Sequence, residues 1–138
     1  MRIRDFCSLL LLSVVLVFGA SACSNDSTGS SLTQPSASLA GTYSLSRFAF
    51  VVQGQQQTVP GATGTFTLTA DNTYTLTLAV PGQPALQDSG SYAISGSNWS
   101  QSSPTTGQAT GTFILSGNQL TVDATSQGVE SVSVWQRQ

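Results

Sequence analysis

The sequence predicts an all-β fold: an antiparallel up-and-down β-barrel of about eight strands, with a β-sandwich as the alternative. The first observation is that apolar and hydroxyl side chains alternate along most of the chain after residue 39, the period of a strand with one buried face. The second is that Gly, Pro, Asn and Asp recur at short intervals, while no helical period of useful length follows residue 22. A sheet this long must close on itself or fold into two layers, because an open sheet leaves unpaired edges and an uncovered apolar side.

The clearest element is a β-hairpin over residues 64–80. Phe66 and Leu68 alternate with threonines in its first arm, and apolar residues from Tyr74 onward do the same in its second arm. Residues 70–72 between the arms, Ala-Asp-Asn, suit a chain reversal, since Asp and Asn tolerate left-handed backbone angles. Each arm therefore has one buried and one solvated face.

A first strand precedes this hairpin and changes its phase part-way along. Tyr43 and Leu45 share one face, whereas the apolar residues from Phe48 onward have the opposite parity. The change predicts a bulge or bend near residues 46–47. Residues 53–57 are all glutamine or glycine, and we interpret them as a polar turn.

Further short strands follow the hairpin after a break that contains two prolines. The alternation predicts that Tyr92 and Phe113 point inward and Ile114 outward, and residues 102–108 are interpreted as a loop. The predicted strands lie at residues 89–95, from residue 99, and at 109–116, 120–125 and 129–135.

The N-terminus carries a secretory signal. Arg2 and Arg4 precede an apolar run over residues 9–18, and small residues follow it. The run has about ten residues, whereas a membrane-spanning helix needs about 20. Residues 1–22 are therefore predicted to be a signal peptide and the protein to be exported.

The small residues before Cys23, ending in Ser21 and Ala22, resemble the lipobox of bacterial lipoproteins. That resemblance implies that Cys23 becomes the acylated first residue of the mature chain, with palmitate among its acyl chains and with the membrane as a partner. It also implies anchoring to the cell envelope, at the outer membrane if the host is diderm, because Ser24 is not the aspartate that favours inner-membrane retention. The alternative is an ordinary leader-peptidase site that leaves Cys23 as a free thiol.

Residues 23–39 read as a flexible tether and residues 40–138 as the folded domain. The tether is rich in Ser, Thr and Gly and lacks periodicity, so it cannot bury enough surface to fold. Its predicted reach is roughly 20–25 Å, enough to hold a small domain clear of the lipid headgroups. The mature chain keeps one cysteine, so its stability must come from packing.

Composition excludes several classes of function. After residue 22 there are two arginines, five carboxylates and no lysine or histidine, for a net charge of −3, which disfavours nucleic-acid binding. The usual nucleophile and base pairings have no members, so we expect a protein that is not an enzyme and has no cofactor. Metal ligands are missing too, and the carboxylates Asp71, Asp88 and Asp123 are interpreted as turn or edge residues.

Short motifs spread over the domain resemble the small lipocalin-like domains of bacterial lipoproteins. The matching segments are Gly41-Thr42-Tyr43, Asp71-Asn72-Thr73-Tyr74, Gly90-Ser91-Tyr92-Ala93-Ile94, Gly117-Asn118-Gln119-Leu120-Thr121-Val122 and Trp135-Gln136-Arg137. Lipocalins open with Gly-x-Trp and lay a late arginine over that ring. The resemblance implies that Arg137 stacks on Tyr43 to close the barrel, and the alternative is that Arg137 is a frayed terminal charge.

Two functions remain open for the domain. The first is binding of a small hydrophobic ligand inside the barrel, and its candidate lining residues are the aromatics Tyr43, Phe50, Phe66, Tyr74, Tyr92, Trp99 and Phe113. The second is a structural or protein- or glycan-interaction module of the envelope, in which these aromatics only fill the core and a solvent-exposed Trp99 offers a contact. An interior void of a few hundred Å³ favours the binder, and a filled interior favours the module.

Overall fold

The computed structural model describes residues 36–138, and they form a closed antiparallel β-barrel of eight strands with one additional strand. The signal peptide, Cys23 and residues 23–35 of the predicted tether lie outside the described residues. The elements are α1 (Ser36–Leu39), β1 (Gly41–Val52), β2 (Gln55–Thr58), β3 (Thr63–Leu68), β4 (Thr73–Ala79), β5 (Leu86–Ser95), β6 (Asn98–Ser103), β7 (Gly107–Ser116), β8 (Gln119–Ser126) and β9 (Val129–Arg137).

Each strand from β3 to β8 pairs with the next one along the chain, and β9 pairs with β1 to close the barrel. The first half of β1 pairs with β3, and its second half pairs with β2 on the same edge. The all-β prediction and the choice of a barrel over a sandwich are therefore confirmed. Within residues 36–138, no helix has the length and apolar character that crossing a bilayer requires.

The predicted phase change in the first strand is confirmed as a β-bulge. The pairing of β1 with β9 shifts register between Leu45 and Arg47, so Ser46 is the extra residue. One extra residue reverses the faces of every later side chain. Phe48 is consequently buried, as Tyr43 is before the bulge.

Several boundaries differ from the sequence prediction. Residues 102–103 and 107–108, interpreted as parts of a loop, belong to β6 and β7. Residues 55–57, interpreted as part of a turn, belong to β2, which pairs with β1 through its backbone while its side chains stay exposed. Residues 36–39, assigned to the tether, form α1, and Leu39 is 0% exposed. The folded part therefore begins before residue 40, because one leucine in the polar segment fills the end of the barrel.

The two ends of the barrel differ. At the closed end, α1 and the turns at 69–72, 96–97 and 117–118 lie near a core of large side chains. At the open end lie the connections at 80–85, 104–106 and 127–128. The core cluster consists of Leu39, Tyr43, Phe66, Leu68, Tyr74, Tyr92, Trp99, Phe113, Leu120, Val122 and Trp135. Packing thus fills the closed half, and it leaves space in the open half.

Candidate functional site

A cavity of about 390 Å³ occupies the open half of the barrel. All eight barrel strands contribute to its wall, so it is the barrel interior and not a surface groove. Apolar side chains make up much of the wall, and Phe66 and Trp135 form its boundary with the closed half, their ring centroids 5.1 Å apart.

Exposed apolar side chains surround the mouth of the cavity. Leu86 and Val129 border it and are 39% and 53% exposed. Phe50 is 37% exposed and packs edge-on against Phe48, a wall residue, with ring centroids 5.0 Å apart. An apolar mouth lowers the cost of bringing an apolar molecule to the cavity.

One carboxylate, Asp88 on β5, is part of the cavity wall and is only 7% exposed. Tyr74 donates a hydrogen bond to its Oδ2 at 2.8 Å, and Thr106 donates to the same oxygen at 2.9 Å. Ser103 donates to Oδ1, and its hydroxyl oxygen in turn accepts from two backbone N–H groups of the β6–β7 connection. The interpretation of Asp88 as a turn or edge residue was wrong, because the residue lies within a strand and faces inward.

The protonation of this cluster follows from its hydrogen bonds. Burial raises the pKa of the Asp88 carboxyl, but hydrogen bonds donated by Ser103, Tyr74 and Thr106 lower it by more, so the pKa lies below its ordinary value. The pKa of Tyr74 is raised, chiefly by burial and then by its hydrogen bond to Asp88 and by the negative charge of that residue. At neutral pH the site therefore holds an ionised carboxylate and a neutral phenol.

The hydrogen-bond network continues from this cluster towards the core. Gln101, a wall residue, has its side-chain nitrogen 3.5 Å from the Tyr74 hydroxyl. Its carbonyl oxygen accepts a bond of 3.0 Å from the Trp99 indole nitrogen. Such a network holds the wall side chains in one arrangement.

Most of the aromatics predicted to line a ligand site are packed against one another below the cavity. Phe66 borders the cavity, and Phe50 lies near its mouth. The other five candidates, all in the buried core cluster, are Tyr43, Tyr74, Tyr92, Trp99 and Phe113. None of these five lines the cavity, and they pack in the closed half beyond Phe66 and Trp135.

The expectation that Trp99 is solvent-exposed was wrong. Its exposed fraction is 1%, and its ring stacks on Tyr92 with centroids 5.2 Å apart and planes 9° apart. Because β6 begins at Asn98, the alternation of the strand turns Trp99 into the barrel and its polar neighbours outward.

The structure brings together the two residues predicted to close the barrel. The Arg137 guanidinium lies over the Tyr43 ring, 5.2 Å from its centroid. It also donates to the Tyr43 hydroxyl at 2.6 Å and to the Ser38 carbonyl at 2.7 Å. A β-carbon on Gly41 would lie 3.2 Å from the arginine Nε, so the missing side chain leaves room for this contact.

Several polar wall residues were missed by sequence reasoning, which looked inside the barrel only for apolar side chains. On β9 the wall residues are Val129, Ser131, Ser133 and Trp135, so Val132 and Val134 have the opposite parity. The available signal was spacing: these serines share parity with Trp135, as Asp88 does with Tyr92.

The fold and the cavity define a class: a small closed β-barrel with an interior cavity open at one end. No protein-family model matches the sequence, and no curated protein matches it. Among solved structures, the chain is similar to a REP1-NXSQ fatty acid transporter, with 13% identity, a TM-score of 0.45, and 74% of this chain and 97% of that chain covered. It is also similar to a mutant of the fluorescent protein UnaG, with 10% identity, a TM-score of 0.39, and 72% and 95% covered. At such identities these similarities concern overall shape and leave the ligand open.

Proposed function

We propose that this domain binds a small hydrophobic ligand in the barrel cavity. The observation that carries the proposal is the interior space of about 390 Å³, which lies within the range of roughly 300–1,000 Å³ typical of ligand pockets. A structural module would use its interior for packing, as the closed half of this barrel does. The wall has more apolar than polar side chains, and its polar ones include the buried carboxylate of Asp88, which suits a molecule with an apolar body and a small polar end.

The domain acts by binding and not by catalysis. Among the described residues, Asp88 is the one charged side chain in the cavity wall. Its two oxygens accept from three hydroxyl donors, and its pKa lies below the ordinary value, which is unfavourable for a general base near neutral pH. These features support a role in holding the wall and orienting a ligand.

Binding is tested with decanol as a neutral probe, followed through the fluorescence of Trp135, which borders the cavity. We expect saturable binding to the wild-type domain. Ala124→Phe, which places a ring into the cavity, should weaken binding by about tenfold or more, equivalent to about 1.4 kcal/mol. The matched control is Ala93→Phe, because Ala93 is exposed on the outside of the barrel.

Two results would contradict the proposal. One is the absence of saturable binding, and the other is an equal affinity of both phenylalanine variants for decanol. Native mass spectrometry of the domain purified from its own host gives an independent measurement, since a bound small molecule adds a defined mass.

We further propose that the mature protein is exported and is anchored to the cell envelope through acylated Cys23, at the outer membrane in a diderm host. The support comes from the sequence: the apolar run at 9–18 and the small residues before Cys23. Because acylation with more than one chain gives firm membrane attachment, the barrel would stay at the membrane surface. Mass spectrometry of the N-terminal peptide tests this, and an unmodified Cys23 thiol in protein from the native host would overturn it.

A further inference from the structure

The charge of Asp88 is not balanced by a cationic side chain of the described part of the chain. The only basic residues from residue 36 onward are Arg47 and Arg137. Arg47 is exposed and bonds to Gln56, whereas Arg137 lies at the closed end over Tyr43. Neither is part of the cavity wall. The carboxylate therefore imposes an uncompensated negative potential on a partly apolar space, where charges interact more strongly than in water.

The hydroxyl groups around this carboxylate have no hydrogen left to donate to a ligand. A hydroxyl has one hydrogen, and those of Tyr74 and Thr106 are both donated to Asp88. Thr106 is a wall residue, and what its hydroxyl can still offer the cavity is lone pairs. This side of the wall thus combines negative charge with acceptor oxygens.

We propose that the natural ligand carries a positively charged amine on its apolar body, with the ammonium group beside Asp88 and Thr106, and that long-chain carboxylates are excluded. This inference rests on the proposed function, since it names the chemical class of the molecule held in the cavity. A carboxylate would meet Asp88 with no cation nearby to offset the repulsion. An ammonium group has three donors and no acceptor, which matches the wall.

Asp88 also has a structural role, because through Ser103 it holds the β6–β7 connection. A purely structural role predicts that charge on the ligand does not matter. A comparison of ligands that differ only in the head group therefore separates the two roles, and its result in the wild-type protein does not depend on any variant folding.

The experiment is calorimetric titration of the domain, near neutral pH, with decylamine, decanol and decanoate below their micelle-forming concentrations. We expect decylammonium to bind about tenfold or more tightly than decanol, because hydrogen bonds to charged groups are stronger than neutral ones, and decanoate to bind more weakly than decanol. If decanol binds and decylammonium binds no better, or decanoate binds best, the inference is wrong while the proposed function stands. If none of the three binds, the proposed function itself fails.

The variant Asp88→Asn keeps the shape of the side chain and removes its charge. With this variant, the affinity for decylammonium should exceed the affinity for decanol by no more than about twofold. The matched control is Asp71→Asn, which removes a carboxylate at the exposed 69–72 turn of the closed end and should leave the ranking unchanged. An unchanged ranking in Asp88→Asn would overturn the assignment of the ammonium site to Asp88.

Discussion

At the residue scale, Asp88 has the largest influence on the cavity. Burying an unpaired carboxylate costs several kcal/mol or neutralises the group. Here three hydroxyls and a backbone group donate to it, and together they keep it ionised. The donors come from β4, from the end of β6 and from the following connection, so the charge joins elements that are not all adjacent in the sequence.

The lowered pKa of Asp88 makes a prediction about acid stability. The pKa of the Asp88 carboxyl is lower in the folded chain than in the unfolded chain. Such a group stabilises the fold at pH values above its pKa in the unfolded chain, and this stabilisation is lost as the pH falls through its pKa in the folded chain. Near neutral pH, Asp88→Asn should lower the free energy of unfolding by about 1.5–3 kcal/mol. The difference in unfolding free energy between the variant and wild type should become smaller below about pH 4. Urea denaturation at a series of pH values measures this, and a gap that stays constant down to the acid limit would contradict it.

At the element scale, glycines within strands allow the backbones of neighbouring strands to approach closely. Alternate strands β3, β5 and β7 each carry one in their interior, at Gly64, Gly90 and Gly111. A β-carbon at these positions would lie 2.6, 2.0 and 1.8 Å from a carbonyl oxygen of the next strand. Glycine inside a strand marks a bend or a close backbone approach, and at these three positions it permits the close approach.

The closest of these approaches gives the second prediction. Gly111→Ala forces its new methyl group against the Asp123 carbonyl, and backbone atoms cannot rotate away as a side chain can. We expect a loss of about 3 kcal/mol or more in the free energy of unfolding. Gly117→Ala is the matched control: its β-carbon has no neighbour within 4 Å, and its φ of 59° is the main source of strain, worth about 1–2 kcal/mol. Equal thermal stability of the two variants would refute the steric argument.

At the scale of the whole molecule, the pairing of β1 with β9 turns a meander into a barrel. The described residues contain no cysteine, so this closure depends on the ladder and on the contacts at its end. Arg137 and Tyr43 are paired across that ladder and are 94 residues apart in the chain. Closure therefore requires the first and last strands to meet, which makes folding a non-local process.

The third prediction concerns this closing contact. Arg137→Gln removes the cation over Tyr43 and the hydrogen bonds to Tyr43 and Ser38, and should lower the free energy of unfolding by about 2 kcal/mol. Arg47→Gln removes the same charge from an exposed position and should change stability by no more than about 0.5 kcal/mol. Equilibrium denaturation of both variants measures the difference, and equal effects would mean that Arg137 contributes only its net charge.

Prediction from sequence succeeded where one residue and its immediate spacing decide the outcome. The bulge at Ser46 followed from a change of parity, and the inward positions of Tyr92 and Phe113 followed from alternation. It missed β2, since four exposed polar residues carry no alternation and pair only through their backbone. The sequence prediction also placed Trp99 in solvent, because it relied on the polar residues beside Trp99 and not on the strand alternation, which turns this side chain inward.

By itself, the sequence determined an all-β chain with one apolar face and hardly any ionisable groups, because a two-residue period and composition are local properties. Only the tertiary structure decided that aromatics fill one half of the barrel and leave a cavity in the other, since free space depends on which side chains meet across the sheet. The tertiary structure likewise decided that Asp88 faces this cavity, held by hydroxyls from β4, β6 and the following connection. Those contacts span 14 to 18 residues of chain, and no local pattern specifies them.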